Sequence, residues 1–180
     1  MFLAHKNDIS VQTLEDHLSE VAILARNFGV GFDSAEIAYL TGYLHDYGKY
    51  SEGFQRRING ENIRTEHAFH GAVKAFRNYP LIGKLMAYCI AGHHGGLPNG
   101  ADTSESCLNE RLKRDIGNLP ELDLKSCNPV PKQLKSLESF YFTIYVRMLF
   151  SCLVDADYLD TEKFMDAEKH SQRIYETNIL

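Results

Sequence analysis

Paired cysteines, a membrane-length apolar run, a positive charge surplus and alternating β-branched residues are all missing from this sequence. Each absence removes a class of function. The four cysteines, Cys89, Cys107, Cys127 and Cys152, lie far apart and form no CxxC pair, which argues against a thiolate zinc site. An even count alone makes no disulfide framework in a chain of 180 residues. They are expected to be reduced thiols, with Cys89 and Cys152 on apolar helix faces. The longest apolar stretch, Phe140 to Val154, is broken by Thr143, Arg147 and Ser151 and falls short of the ~20 residues a bilayer span needs. The opening "MFLAHKNDIS" is too polar for a signal peptide, so a soluble, cytoplasmic protein with no membrane partner is expected. The net charge of −5 gives no general attraction to nucleic acid. Such a substrate would need local charge or bound metal. No GxxxxGK[ST] phosphate loop is present, and no serine–histidine or cysteine–histidine pattern suggests nucleophilic catalysis.

What is there is ordinary globular composition, 44% hydrophobic and 24% charged, enough for one domain with a sizeable core. Apolar residues recur at helical spacing from Ser10 to Phe28 (Leu14, Leu18, Val21, Ala22, Ala25) and stop at Gly29. Asp33 with Glu36 reads as a capping box for a second helix running to Tyr47. Ser51 caps a short helix carrying Phe54 and Ile58, and Thr65 caps the next. Leu81 to Ile90 forms another helix before "GHHGGLPNG", and a charged helix follows over Ser104 to Asp115. A proline-containing loop from Asn118 to Pro131 leads to a last helix from Lys132 to Leu159, apolar nearly all round and so expected at the buried centre. The expected fold is all-α, a single domain of six or seven helices.

Polar residues interrupt these apolar faces in a definite pattern. His17 faces the same way as Leu14 and Val21. His45 and Asp46 close the second helix, and Lys49 follows. His67 and His70 are nearly co-facial rivals, with Gly71 and Ala72 leaving room for something to approach. His93 and His94 are adjacent, among Gly92, Gly95 and Gly96. His5 and His170 are expected at the surface. In "LVDADYLDTE" Asp155 continues the face of Cys152, and Asp157 that of Leu153. Asp160 and Glu162 suit a solvated helix end, whereas apolar neighbours make that reading a poor one for Asp155 and Asp157. A buried charge is costly unless paired or metal-bound. Imidazole and carboxylate without thiolate suit first-row divalent ions such as manganese, cobalt, nickel or iron, with magnesium a further candidate. The number of such groups exceeds what one tetrahedral zinc needs and approaches two ions.

The order His17, His45-Asp46 and a late helical aspartate resembles the HD phosphohydrolase superfamily. More narrowly, "LHDYGK", "FQRRING", "EHAFHGA", "AGHHGGLP" and "RMLFSCLVDADYLDTE" resemble the HD nuclease domain of the type I CRISPR interference nuclease–helicase, over His17 to Glu162. The resemblance implies a helical nuclease domain over residues 1–180 that cuts single-stranded DNA with two divalent ions. By position, His17, His45, Asp46 and a late aspartate would hold the first ion. Asp46 would bridge to a second, held by His67, His93 and His94, and Lys49 would lie near the scissile phosphate. The superfamily's small-residue–Asp–x–apolar pattern fits Ala156-Asp157-Tyr158-Leu159 and favours Asp157 over Asp155. Ala68 stands where the family often has serine.

The implied partners are single-stranded DNA, an RNA-guided CRISPR surveillance complex, and a helicase in cis or in trans, since the family continues into a helicase where this chain reaches "YETNIL". Arg56 and Arg57 are expected to help Lys49 attract phosphate. A phosphohydrolase acting on a nucleotide or cyclic nucleotide, with Tyr43, Tyr47, Tyr50 and Phe54 available to stack on a base, is the first alternative. A non-catalytic docking module is the second.

Overall fold

The structure, a computed structural model, describes residues 1–100, 102, 104, 105, 107–124, 130–135 and 138–173. Two short antiparallel strands, β1 (Leu3–Lys6) and β2 (Val11–Thr13), open the chain. The segment from Ser10 expected to begin the first helix is therefore partly strand. Helix α1 (Leu14–Gly29) starts only after Thr13, whose side chain accepts a hydrogen bond from the Asp16 amide and satisfies a free donor of the first turn. Its row Leu14, Leu18, Val21, Ala22 and Ala25 is fully buried.

Helix α2 (Ala35–Leu44) begins after Ser34, not through an Asp33–Glu36 capping box: Asp33 adopts a left-handed conformation and Glu36 pairs with Arg26 instead. It ends at Leu44, three residues before the expected Tyr47, and a 3-10 turn spans Tyr47–Tyr50. Ser51 caps α3 (Glu52–Ile58), accepting from the Phe54 amide at 3.3 Å. Helix α4 (Ala68–Asn78) starts after His67 rather than from a Thr65 cap, and α5 (Gly83–Gly92) packs against it. The charged helix shrinks to α6 (Leu108–Arg111). Lys132–Lys135 is a 3-10 turn, so the last long helix, α7, runs over Ser139–Met165 instead of Lys132 to Leu159, and α8 (Ala167–Ser171) follows.

The described residues thus hold eight helices, two of them very short, and the fold is all-α with one small hairpin. Helix α7 lies across α1, α2 and α5, and its Leu149, Leu153 and Ala156 join the core of Val21, Leu44, Val73 and Ile90. Its first turns are not buried as expected: Phe140 is 70% and Tyr141 55% exposed. Cys89, Cys107 and Cys152 are free buried thiols, whereas Cys127 lies outside the described residues. Among the described residues no helix is long and apolar enough to cross a membrane.

Candidate metal centre

His45 and Asp46 sit where α2 gives way to the 3-10 turn. The tighter turn bonds the Lys49 amide to the Asp46 carbonyl at 2.8 Å and brings Lys49 Nζ to 2.6 Å from Asp46 Oδ2. Gly48 is required there, because a β-carbon would collide with the His67 backbone. Gly71, in the first turn of α4, is required for a similar reason: a β-carbon would strike the Leu44 carbonyl. The two glycines let the start of α4 press against the end of α2, carrying His67 to Asp46. His17 projects from α1, His93 and His94 follow the end of α5, and Asp157 projects from α7.

These residues form two groups that share Asp46. His17, His45, Asp46 and Asp157 make one, and Asp46, His67, His93 and His94 the other. Within each, the donor atoms lie within 4.8 Å of one another. The Asp46 carboxylate divides between them. Its Oδ2 faces His17 Nε2 at 3.3 Å and His45 Nε2 at 3.4 Å, while Oδ1 faces the Nε2 atoms of His67 and His93, both at 3.4 Å. Asp157 Oδ1 closes the first group at 3.6 Å from His17 and 3.5 Å from His45.

Three imidazoles are aimed from behind. His45 Nδ1 donates to the Gly42 carbonyl, His93 Nδ1 to the Ile90 carbonyl and His17 Nδ1 to Asp160 Oδ2, each at 2.6 Å. With Nδ1 engaged, Nε2 is the atom turned into the site, the arrangement metal-binding histidines use. His45 Nε2, His93 Nε2 and Asp46 Oδ1 are buried without a hydrogen-bond partner, a costly state for polar atoms. A divalent ion in each group would satisfy them, His45 Nε2 in the first and His93 Nε2 with Asp46 Oδ1 in the second, so the donor set fits metal.

The electrostatics of the buried charges agree. Burial disfavours the Asp46 carboxylate, yet the charges of Lys49 and His45 and a hydrogen bond with His17 hold it well below the usual range. Burial likewise opposes charge on His45, but the carboxylates of Asp46 and Asp157 push it up to about 10. Asp157, raised by burial, is lowered further by His45. His94 is driven down to about 4, first by burial and then by His93.

Every one of the seven expected ligands lies in one of the two groups, and Lys49 touches their shared carboxylate. His70, the rival of His67, turns away to the His67 carbonyl. Asp155 is exposed, contrary to the expectation that its apolar neighbours enclose it. Asp160 and Glu162 are not a solvated helix end: they are 2% and 6% exposed. Helix α7 continues past Leu159, Asp160 takes the back of His17, and Lys169 and Arg173 cover Glu162.

His5, expected at the surface, is half-buried with its ring edge-to-face on His17 at 4.7 Å, and burial with Lys49 lowers it to about 4. His170 is also partly withdrawn from the surface, standing 4.0 Å from Glu162. Arg56 is spent on Glu61, and of the aromatics proposed for base stacking Tyr47 and Phe54 are buried. Asp160 carried a usable signal, being three residues beyond Asp157 on the same helix face. His5 carried none, because four strand residues are too few to show alternation.

An HD domain family model matches residues 14–120, more than half of the chain. The chain belongs to the HD domain family. No curated protein matches it significantly. HD domain proteins are metal-dependent phosphohydrolases, and the matched span holds every residue of the two groups except Asp157, which α7 adds.

Proposed function

We propose that this HD domain protein is a metal-dependent nuclease that cleaves single-stranded DNA in CRISPR interference. It would work with a helicase, in cis or in trans, and with an RNA-guided surveillance complex. The observation that carries the reading is the division of the Asp46 carboxylate between two ligand groups. His17, His45, Asp46 and Asp157 would hold one divalent ion, and Asp46, His67, His93 and His94 a second. Manganese, cobalt, nickel or iron suits so imidazole-rich a set better than magnesium. Such a pair supplies an activated water and neutralises charge at a phosphodiester.

The protein's own residues do the rest. Asp160 and the Gly42 and Ile90 carbonyls orient the imidazoles, and Lys49, 5% exposed, is the cation nearest the shared carboxylate. The exposed His94, with His67 at 14% and Asp157 at 20% side-chain exposure, gives the site an edge open to solvent. A strand can reach that edge, and two of the four aromatics that could stack on a base, Tyr47 and Phe54, are buried. A net charge of −5 is compatible with DNA if metal charge sits where the phosphate goes.

Metal analysis with cleavage of circular single-stranded DNA, run beside mononucleotide and cyclic-nucleotide hydrolysis, is the test. DNA cleavage that chelation abolishes and manganese or cobalt restores is expected. Hydrolysis of the small substrates with intact DNA would move the assignment to a nucleotide phosphohydrolase. Full activity in excess chelator would end the two-metal reading, and metal binding with no hydrolysis of either substrate would favour the docking module.

A further inference from the structure

The N-terminal hairpin lies outside the matched family span, yet it reaches the site through two side chains. His5 Nδ1 donates to Gln12 Oε1 at 2.7 Å, which leaves Nε2 to accept from Lys49 Nζ at 3.3 Å. Gln12 Nε2 donates in turn to Asp160 Oδ2 at 2.8 Å, the same oxygen that receives His17 Nδ1. The donors and acceptors are consistent along the whole chain from Lys49 through His5, Gln12 and Asp160 to His17. His5 itself belongs to neither ligand group.

We infer that His5 is a positioning residue that fixes the Lys49 ammonium beside the shared carboxylate. An ammonium has three donors. Asp46 Oδ2 and His5 Nε2 take two, and the Phe54 ring, 5.5 Å from Nζ, bounds another side. The remaining N–H is left to meet an incoming phosphate oxygen. The grip on His5 matters most when Asp46 Oδ2 is drawn towards a metal ion, because the lysine then keeps one neutral partner that no cation competes for. Without it, Lys49 is a flexible four-carbon arm whose rotamer freedom must be lost again at every encounter.

His5→Phe tests this, since phenylalanine preserves the edge contact with His17 and the stacking on Phe164 while deleting both hydrogen bonds. Three results are expected. Calorimetric titration with manganese gives unchanged stoichiometry. Acetylation of Lys49 by acetic anhydride, followed by mass spectrometry, becomes several-fold faster with and without metal. Single-turnover cleavage slows by about 10- to 100-fold, the range for one hydrogen bond to a charged group, and in a Lys49→Ala background the same change has no further effect. His5→Gln, which restores an acceptor, recovers the slow acetylation and separates positioning from a general loosening of the hairpin. Unchanged acetylation in His5→Phe, loss of a metal ion, or an additive rate loss in the Lys49→Ala background would each overturn the inference. It rests on the nuclease reading for its rate measurement alone. If the protein cuts no DNA, the acetylation and metal results still decide the role of His5.

Discussion

Asp46 is 1% exposed and has a different partner set on each carboxylate oxygen, so its removal should act on both groups at once. Asp46→Ala is expected to lose both ions and essentially all cleavage. His94→Ala, an exposed position in one group only, should keep the first ion. Lys49→Ala should bind both ions and cut about 10²–10³ times more slowly, the usual cost of one charge-stabilising contact. Metal titration beside single-turnover kinetics separates the three, and two tightly bound ions in Asp46→Ala would refute the bridge. The same titration separates the two late aspartates. Asp157→Ala should lose the first ion, because Asp157 Oδ1 closes that group. Asp155→Ala, exposed and in neither group, should bind metal normally and stay within ~0.5 kcal/mol of the parent in stability.

Helix ends bring the site together, and they are also where the sequence was hardest to read. The ligand types and the faces of α1, α4 and α5 could be read because burying histidine and aspartate among Leu14, Val21 or Ile90 violates the apolar pattern. The end of α2 could not, since nothing local reveals that α4 will press on it and force a 3-10 turn at Tyr47–Tyr50. The hairpin escaped for a different reason: its strands have four and three residues, and their pairing partner is visible only in three dimensions. The burial of Asp160 depends on α7 running past Leu159 and on the hairpin's Gln12, neither of which is local to it in the sequence. Gly71 tests the contact between α2 and α4. A β-carbon there meets the Leu44 carbonyl, so Gly71→Ala should cost about 1–3 kcal/mol, as overpacking does. Some of that loss should appear as weaker binding of the second ion, because His67 directly precedes α4. Denaturant unfolding with metal titration measures both, and a destabilised variant with normal affinity for two ions would show that α4 does not position His67.

Across the whole molecule, metal and protons compete for the same buried atoms, which links the fold's stability to pH. In the metal-free protein the raised His45, at about 10, favours folding fully below the unfolded histidine pKa near 6.5 and loses that contribution as pH rises towards 10. Asp46 and Asp157, both depressed, favour folding above the unfolded value near 3.9 and lose that contribution in acid. For these three groups the metal-free fold is best supported between about pH 4 and 6.5. A metal ion requires the His45 nitrogen unprotonated. Binding to the first group should therefore release a proton at pH 7, and its affinity should rise up to tenfold per pH unit below about 10. His94, at about 4, is already neutral there and adds no such slope. Thermal unfolding from pH 6 to 9 should then show a falling midpoint without metal and a flat or rising one with saturating manganese, because bound metal stabilises the state it binds. Parallel curves, with manganese affinity constant from pH 6 to 8, would mean that His45 carries no proton for the metal to displace.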